Sequence, residues 1–177
     1  IAEILVEAGV PAGVVNMIHG AGGTVGEALL AHDRVRAVSF TGSNEVGGAL
    51  YRTCSESGKK VQCEMGGKNP IVVLEDADVA LAIEATVQGA FGSTGQRCTA
   101  TSRAIVHEKI ADRFVEGVVA RAKALRVGDG MDEATEMGPS VDEAQMKTVV
   151  RYMEIALQEG AKLLVGGKRL TDGPYAR

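Results

Sequence analysis

Two side chains in this sequence combine the chemistry of a nucleophile with that of a general base. Cys98 lies in a stretch of small and polar residues, Gly95-Gln96-Arg97-Cys98-Thr99-Ala100, and Glu64 lies 34 positions before it. A thiolate adds readily to a carbonyl carbon and also leaves well, and a carboxylate near an apolar pocket is suited to act as a base. Cys98 is therefore a candidate nucleophile, whose thiolate Arg97 favours electrostatically, and Glu64 is a candidate base.

Each of the two has a plainer interpretation when it is taken alone. A lone cysteine is more often a small buried apolar side chain than a nucleophile, although the polar neighbours of Cys98 are not a core-strand pattern. Glu64 ends a predicted strand, where glutamate is uncommon, and is otherwise a surface carboxylate. The glycines that follow it, Gly66 and Gly67, let the backbone turn sharply and bring other groups close.

A third segment, Phe40-Thr41-Gly42-Ser43, joins a predicted strand to a predicted helix. Gly42 lets the backbone approach a ligand, and Ser43 offers a hydroxyl at a helix N-terminus, where free N–H groups and the helix dipole favour phosphate. The plainer interpretation is that Ser43 only caps the helix. The glycine-rich run over 20–26 is not a dinucleotide fingerprint, because Val25 stands where G-x-G-x-x-G requires glycine.

The composition excludes several classes of function. The 177 residues carry a net charge of −4 with only 3% aromatic residues, which argues against binding to nucleic acid or to a membrane surface. Three cysteines without a CxxC pair predict neither a disulfide scaffold nor a zinc site, and we expect no metal. The default compartment is therefore a reducing one, the cytoplasm, and no apolar run reaches the length of a membrane span.

Hydrophobic periodicity predicts strands that alternate with helices. The predicted strands cover 14–18, 35–40, 60–65, 71–74, 102–107 and 163–165, and the predicted helices cover 1–9, 24–32, 43–57, 78–90, 109–125 and 141–159. This alternation predicts an α/β fold with a Rossmann-like parallel sheet and crossover helices. Ligands of such folds bind at the edge where the strands end and the helices begin.

The three motifs around Ser43, Glu64 and Cys98 resemble, in this order, the signature segments of the aldehyde dehydrogenase superfamily. The step of 34 residues from base to nucleophile also matches that family. Residues 94–100, together with Lys68-Asn69-Pro70, most resemble the branch that holds α-ketoglutaric semialdehyde dehydrogenases. The resemblance covers essentially the whole chain. The three segments are Phe40-Thr41-Gly42-Ser43, Glu64-Met65-Gly66-Gly67-Lys68-Asn69-Pro70 and Gly95-Gln96-Arg97-Cys98.

The resemblance implies oxidation of an aldehyde to a carboxylic acid with NAD or NADP. Cys98 would attack the aldehyde, with its own backbone N–H as one donor to the oxyanion, and Glu64 would activate the water that hydrolyses the thioester. Ser43 would face the cofactor pyrophosphate. Gly42 and Gly47 would shape the start of the helix at the pyrophosphate. The backbone of Met65 and Gly66 would lie near the nicotinamide.

The resemblance also implies an internal piece of a longer enzyme. Residues 1–66 would be the C-terminal part of the NAD(P)-binding domain, and 67–177 the N-terminal part of the catalytic domain, both within the aldehyde dehydrogenase fold. The family's second oxyanion donor, its ribose-binding residues and its oligomerisation arm have no counterpart in this sequence. We therefore expect the 177-residue chain alone to be nearly inactive, and the parent enzyme to be a homo-oligomer.

Two other interpretations stay open at this point. One is a non-catalytic α/β nucleotide-binding module that keeps the phosphate site near Ser43 without chemistry. The other is a thiol acyltransferase that uses Cys98 without nicotinamide, although the presence of Glu64 favours hydrolysis. Preferential labelling of Cys98 by iodoacetamide would favour the dehydrogenase.

Overall fold

Helices and strands alternate along the chain in this computed structural model, which describes residues 2–172. The chain divides into two compact units, Ile1–Met65 and Gly66–Arg177, and each is described by itself. Within the described residues, no helix is both long and apolar enough to cross a membrane.

The first unit is built around one parallel strand pair and its crossover helix. Its elements are α1 (Ala2–Glu7), a π-helical turn (Gly22–Gly26), α2 (Glu27–Ala31), β1 (Ala37–Gly42), α3 (Asn44–Glu56) and β2 (Lys60–Met65). β1 and β2 pair in parallel, with Thr41 opposite Glu64 and Gly42 opposite Met65. The fully buried Cys54 lies on α3, so this thiol serves packing.

Up to residue 172, the second unit contains a second parallel pair and four helical segments. Its elements are β3 (Asn69–Val73), α4 (Val79–Phe91), a 3₁₀ turn (Gly92–Gly95), β4 (Thr101–Val106), α5 (Glu108–Lys123) and α6 (Glu143–Gln158). β3 pairs in parallel with β4. The buried centre of this unit is formed by one residue each of β3, α4 and α5, namely Val73, Val79 and Phe114.

The helix starts follow from local chemistry that the sequence displays. Ser43 caps α3 by accepting a hydrogen bond from the N–H of Val46, and Asp78 caps α4 by accepting from Ala80 and Leu81. Such caps satisfy N–H groups that have no partner inside the helix. The α/β fold with parallel strands and crossover helices is confirmed, with the strands forming two separate pairs.

Two predicted strands are wrong. Residues 14–18 and 163–165 have no strand conformation, and within residues 2–172 neither segment pairs with another strand. Val14 and Met17 are each 66% exposed. An apolar run becomes a strand only where its backbone groups find a ladder partner, and periodicity does not reveal whether one is present.

A network of ion pairs and hydrogen bonds connects α4, α5 and the loop that follows α5. Arg121 pairs with Glu84 at 3.2 Å and with Glu136 at 2.8 Å, and Glu136 also accepts from the backbone N–H of Arg126 at 3.1 Å. The hydrogen bond from Arg126, followed by that from Arg121, holds the pKa of the Glu136 carboxyl below its ordinary value. Glu136 thereby fixes a loop that the sequence shows only as acidic.

Candidate active site

Cys98 lies on the loop that connects α4 to β4, and its side chain is exposed. The other two cysteines are less accessible, since Cys63 is half-buried on β2 and Cys54 is buried on α3. A nucleophile needs access to its substrate, so exposure separates Cys98 from the two cysteines that pack.

The backbone just before Cys98 adopts an unusual conformation. Ser93 and Thr94 have φ values of 52° and 54°, and Gly95 follows at 70°. Positive φ is costly for a residue with a Cβ, above all for a β-branched one such as Thr94, and it persists only where surrounding structure imposes it. The N–H of Gln96 donates to the carbonyl of Ser93 at 3.0 Å, so a hydrogen bond closes the turn that contains both residues.

The side chains that flank Cys98 tie its loop to other parts of the second unit. Arg97 donates from Nε to Oγ of Ser93 at 3.1 Å, so its guanidinium is engaged within the loop. Gln96 donates to Oγ1 of Thr94 and accepts from the backbone N–H of Val141 at 3.2 Å. An open cavity of about 320 Å³ lies here, lined by Ser93, Thr94, Gln96, Gly138, Pro139 and Val141.

Asn69 contacts the Cys98 turn directly, a role that was not predicted from the sequence. Its side-chain Nδ2 donates to the carbonyl oxygen of Cys98 at 2.7 Å and to that of Ala100 at 3.2 Å. The signal was available, since Asn69 belongs to the segment that follows Glu64. However, nothing in a linear sequence shows that this segment lies beside the Cys98 turn.

Glu64 lies near the C-terminal end of β2, and its side chain is exposed. Strand alternation turns Cys63 inward, where its thiol donates to the carbonyl of Gly47 at 3.6 Å, and turns Glu64 outward. Glu64 belongs to the first unit and Cys98 to the second.

The predicted cofactor residues of the first unit cluster at one edge of the β1–β2 pair. Gly42 ends β1, Ser43 caps α3, and Gly47 lies on the first turns of that helix. A Cβ added at Gly47 would lie 2.5 Å from Sδ of Met65 and 3.3 Å from Cε1 of Phe40. Gly47 is thus the residue that lets α3 pack closely on its strands.

A second concave surface in the first unit was not predicted. A largely apolar cavity of about 380 Å³ lies beside the π-helical turn, a conformation that is rare and often found at functional sites. Ile18 at the end of the misassigned strand contributes to it. The lining residues are Ile18, Thr24, Val25, Ala28, Leu29 and His32.

In residues 2–172 no group of three or more histidine, cysteine, aspartate or glutamate side chains is arranged to hold a metal.

The sequence of this chain is similar to those of known aldehyde dehydrogenases. The chain is 49% identical to an alpha-ketoglutaric semialdehyde dehydrogenase of Bacillus subtilis over 96% of its own length and 35% of the relative's. It is 45% identical to a mitochondrial aldehyde dehydrogenase of Homo sapiens, covering 99% of this chain and 34% of that one. The chain therefore spans about a third of the length of these curated relatives.

Solved structures show the same fold. The structure of PnpE in complex with nicotinamide adenine dinucleotide matches with a TM-score of 0.94 at 40% identity, covering 99% of this chain and 36% of that one. Betaine aldehyde dehydrogenase from Staphylococcus aureus, in complex with NAD⁺, matches with a TM-score of 0.93 at 36% identity, covering 99% and 35%. A family model described as the aldehyde dehydrogenase family matches residues 1–176. This chain belongs to the aldehyde dehydrogenase family.

Proposed function

We propose that this chain carries the nucleophile and the base of an NAD(P)-dependent enzyme that oxidises an aldehyde to a carboxylic acid. The observation that carries the proposal is the placement of Cys98. It is the one exposed thiol among Cys54, Cys63 and Cys98, and its turn is held by hydrogen bonds from Asn69. An exposed thiol on a fixed turn is what attack on a carbonyl carbon requires.

The first step is addition of the Cys98 thiolate to the aldehyde carbon. A sulfur–carbon bond forms and the carbonyl π electrons move to oxygen, where the backbone N–H of Cys98 donates a hydrogen bond. One such donor is worth about 100-fold or more in rate. NAD(P)⁺ supplies the hydride acceptor when it is bound, and loss of hydride from the adduct leaves a thioester on Cys98.

The second step is hydrolysis of that thioester, for which we propose Glu64 as the general base. Glu64 takes a proton from water as the water oxygen attacks the thioester carbon, and the sulfur–carbon bond breaks to release the carboxylic acid. The exposed side chain of Glu64 is available to water. A positioned general base contributes about 10²- to 10⁴-fold in rate.

We propose the edge formed by Gly42, Ser43 and Gly47 as the cofactor pyrophosphate site, with the backbone of Met65 and Gly66 near the nicotinamide. The fit rests on α3, a helix of 13 residues whose N-terminal N–H groups favour anions. The apolar cavity beside the π-helical turn is a further surface suited to a ring of the dinucleotide. NAD and NADP are both compatible with these features.

The domain assignment stays a proposal as well. We propose that residues 1–66 are part of the cofactor domain and 67–177 part of the catalytic domain, which is supported by the division of the chain after Met65. The cytoplasm as compartment, and a homo-oligomeric parent, also stay predictions. The three free cysteines suit a reducing compartment.

The proposal is tested by comparing two reactions of the Cys98 thiol. Acylation by p-nitrophenyl acetate passes through an oxyanion, whereas alkylation by iodoacetamide only displaces iodide. The ratio of the two rate constants, followed by peptide mass spectrometry, removes differences in exposure and thiolate content. A ratio about 100-fold or more above that of N-acetylcysteine amide is expected from one oxyanion donor. A ratio equal to that of the small thiol would indicate a non-catalytic module.

A separate assay addresses turnover by the 177-residue chain. Because the chain spans about a third of the length of its relatives, we propose that NAD⁺ and glycolaldehyde give little or no NADH with this chain alone. Ordinary turnover, measured by NADH absorbance, would overturn this part of the proposal without affecting the role of Cys98.

A further inference from the structure

We propose that Asn69 is a positioning residue for acylation of Cys98: its side-chain amide sets the turn so that two adjacent backbone N–H groups, those of Cys98 and Thr99, face the oxygen of the reacting carbonyl. This inference rests on the proposed function, because it assumes that Cys98 attacks a carbonyl carbon. It adds a residue outside the nucleophile and base, and a second backbone donor that the chain itself supplies.

Three carbonyl groups of the Cys98 turn accept hydrogen bonds. The carbonyl of Cys98 accepts from Nδ2 of Asn69 at 2.7 Å, and the carbonyl of Ala100 accepts from the same nitrogen at 3.2 Å. The carbonyl of Arg97 accepts from the N–H of Ala100 at 3.1 Å. All three carbonyl groups therefore have fixed directions.

The hydrogen bonds to these carbonyl groups also fix the directions of the N–H groups of Cys98 and Thr99. In a trans peptide unit the C=O and N–H bonds point in opposite directions. Fixing the carbonyl of Arg97 therefore fixes the N–H of Cys98, and fixing the carbonyl of Cys98 fixes the N–H of Thr99 on the side away from Asn69. In the part of the chain that the structure describes, neither N–H donates to a protein acceptor, so both are available to an oxyanion.

The main chain around Asn69 is also held by hydrogen bonds. Its own carbonyl accepts from Oγ of Ser102 at 3.2 Å, and the carbonyl of Lys68 accepts from Nη2 of Arg103 at 2.9 Å. The β3–β4 register shifts between Asn69 and Pro70, where proline has no N–H to donate to a ladder. The hydroxyl of Ser102 and the guanidinium of Arg103 thus hold the main chain of this segment beside the bulge, and the amide of Asn69 starts from a fixed backbone.

Preorganised donors accelerate a reaction only if they already point to where charge develops. Without the Asn69 amide, the peptide unit between Cys98 and Thr99 is free to rotate, and its N–H no longer has a fixed direction. The thiol would stay exposed and able to react. The loss would therefore fall on reactions that develop an oxyanion, and not on simple displacement at sulfur.

The test uses Asn69→Asp, which keeps the shape of the side chain but removes both donor hydrogens, and Asn69→Ala, which adds no charge. In acylation, the thiolate displaces p-nitrophenolate from p-nitrophenyl acetate and keeps the acetyl group. In alkylation, it displaces iodide from iodoacetamide. Both rate constants at Cys98 are measured on the 177-residue chain, with Gln158→Glu on the exposed end of α6 as the matched amide-to-carboxylate control.

The expected result is a fall of about tenfold or more in the acylation-to-alkylation ratio for both Asn69 variants, with the Gln158→Glu ratio unchanged. Proportional changes in both rates would show a merely structural role and overturn the inference. Should either variant unfold in a thermal melt, Asn69→Ser retains one donor and is expected to give an intermediate ratio; a wild-type ratio there would also overturn it. A wild-type chain that behaves like a free thiol would instead overturn the proposed function, and this inference with it.

Discussion

A Cβ added at Gly67 would lie 3.1 Å from the carbonyl oxygen of Cys98. The same added atom would lie 3.1 Å from Oδ1 and 3.2 Å from Nδ2 of Asn69. Gly67 therefore lies directly against the hydrogen bond between the Asn69 amide and the Cys98 turn. Only a residue without a side chain leaves this contact undisturbed.

Replacing Gly67 by alanine is expected to displace either the Asn69 amide or the Cys98 carbonyl. The crowding should lower the free energy of unfolding by about 1 kcal/mol, and it should lower the acylation-to-alkylation ratio at Cys98. Thermal melts and the two labelling reactions measure both effects. Gly92→Ala is the control, since a Cβ there meets nothing within 4 Å. Equal behaviour of the two variants would show that the close approach at Gly67 has no effect on the turn.

Two neighbouring glycines of α3 are expected to respond differently to alanine. A Cβ at Gly47 would meet Sδ of Met65 at 2.5 Å, whereas one at Gly48 would meet only Nη1 of Arg52 at 3.8 Å. Gly48→Ala should raise the free energy of unfolding by up to about 1 kcal/mol through helix propensity. Gly47→Ala should lie about 1–3 kcal/mol below it because Met65 must move. Denaturant unfolding measures both, and equal values would contradict the packing role of Gly47.

Substitutions at Ser43 separate helix capping from phosphate binding. Ser43→Ala should cost about 1 kcal/mol through loss of the bond from the Val46 N–H. Ser43→Asp keeps a cap but places a negative charge where we propose the pyrophosphate. Its stability should therefore match that of the wild type, while NAD⁺ binding measured by titration calorimetry should weaken. Unchanged NAD⁺ affinity in Ser43→Asp would leave Ser43 a cap and nothing more.

The carboxylate of Glu136 is expected to stabilise the second unit in a pH-dependent way. Its pKa in the folded chain lies below the ordinary value of 4.5 because of the bonds from Arg126 and Arg121. A lowered folded pKa means that the stabilisation is fully present above the unfolded pKa and is lost as pH falls through the folded one. Glu136→Gln should therefore be less stable than the wild type at pH 6–7.

That difference should shrink as pH falls below about 4.5. Urea unfolding at several pH values measures it, with Glu133→Gln in the same exposed loop as the control. A difference between wild type and Glu136→Gln that stays constant from pH 7 to pH 3 would show that the charge of Glu136 is irrelevant.

Elements whose signals are local were predictable from the sequence. The strand predicted over 60–65 is β2, and the helix predicted over 43–57 is α3 with Ser43 as its cap. Capping residues and apolar periodicity act within a few positions, so they can be found in one sequence. Strand alternation also explains why neighbouring Glu64 and Cys63 differ in burial, with Glu64 exposed and Cys63 half-buried.

The features that failed or were missed depend on distant partners. The run over 14–18 has the composition of a strand but no ladder partner among residues 2–172. Asn69 lies 29 positions from Cys98, and Glu136 lies 15 positions from Arg121. The positive φ values of Ser93 and Thr94 are also not what their residue types predict, because neither is glycine. Spacing alone cannot reveal any of these contacts.

The central claim is that one thioester, made on Cys98, is hydrolysed with the help of Glu64. It is tested most directly by the lifetime of an acetyl group placed on Cys98 by p-nitrophenyl acetate and followed by peptide mass spectrometry. The wild-type chain should lose the acetyl group about 10²- to 10⁴-fold faster than Glu64→Gln, while Glu56→Gln, an exposed carboxylate at the end of α3, should match the wild type. Equal lifetimes in the wild-type and Glu64→Gln chains would contradict the claim.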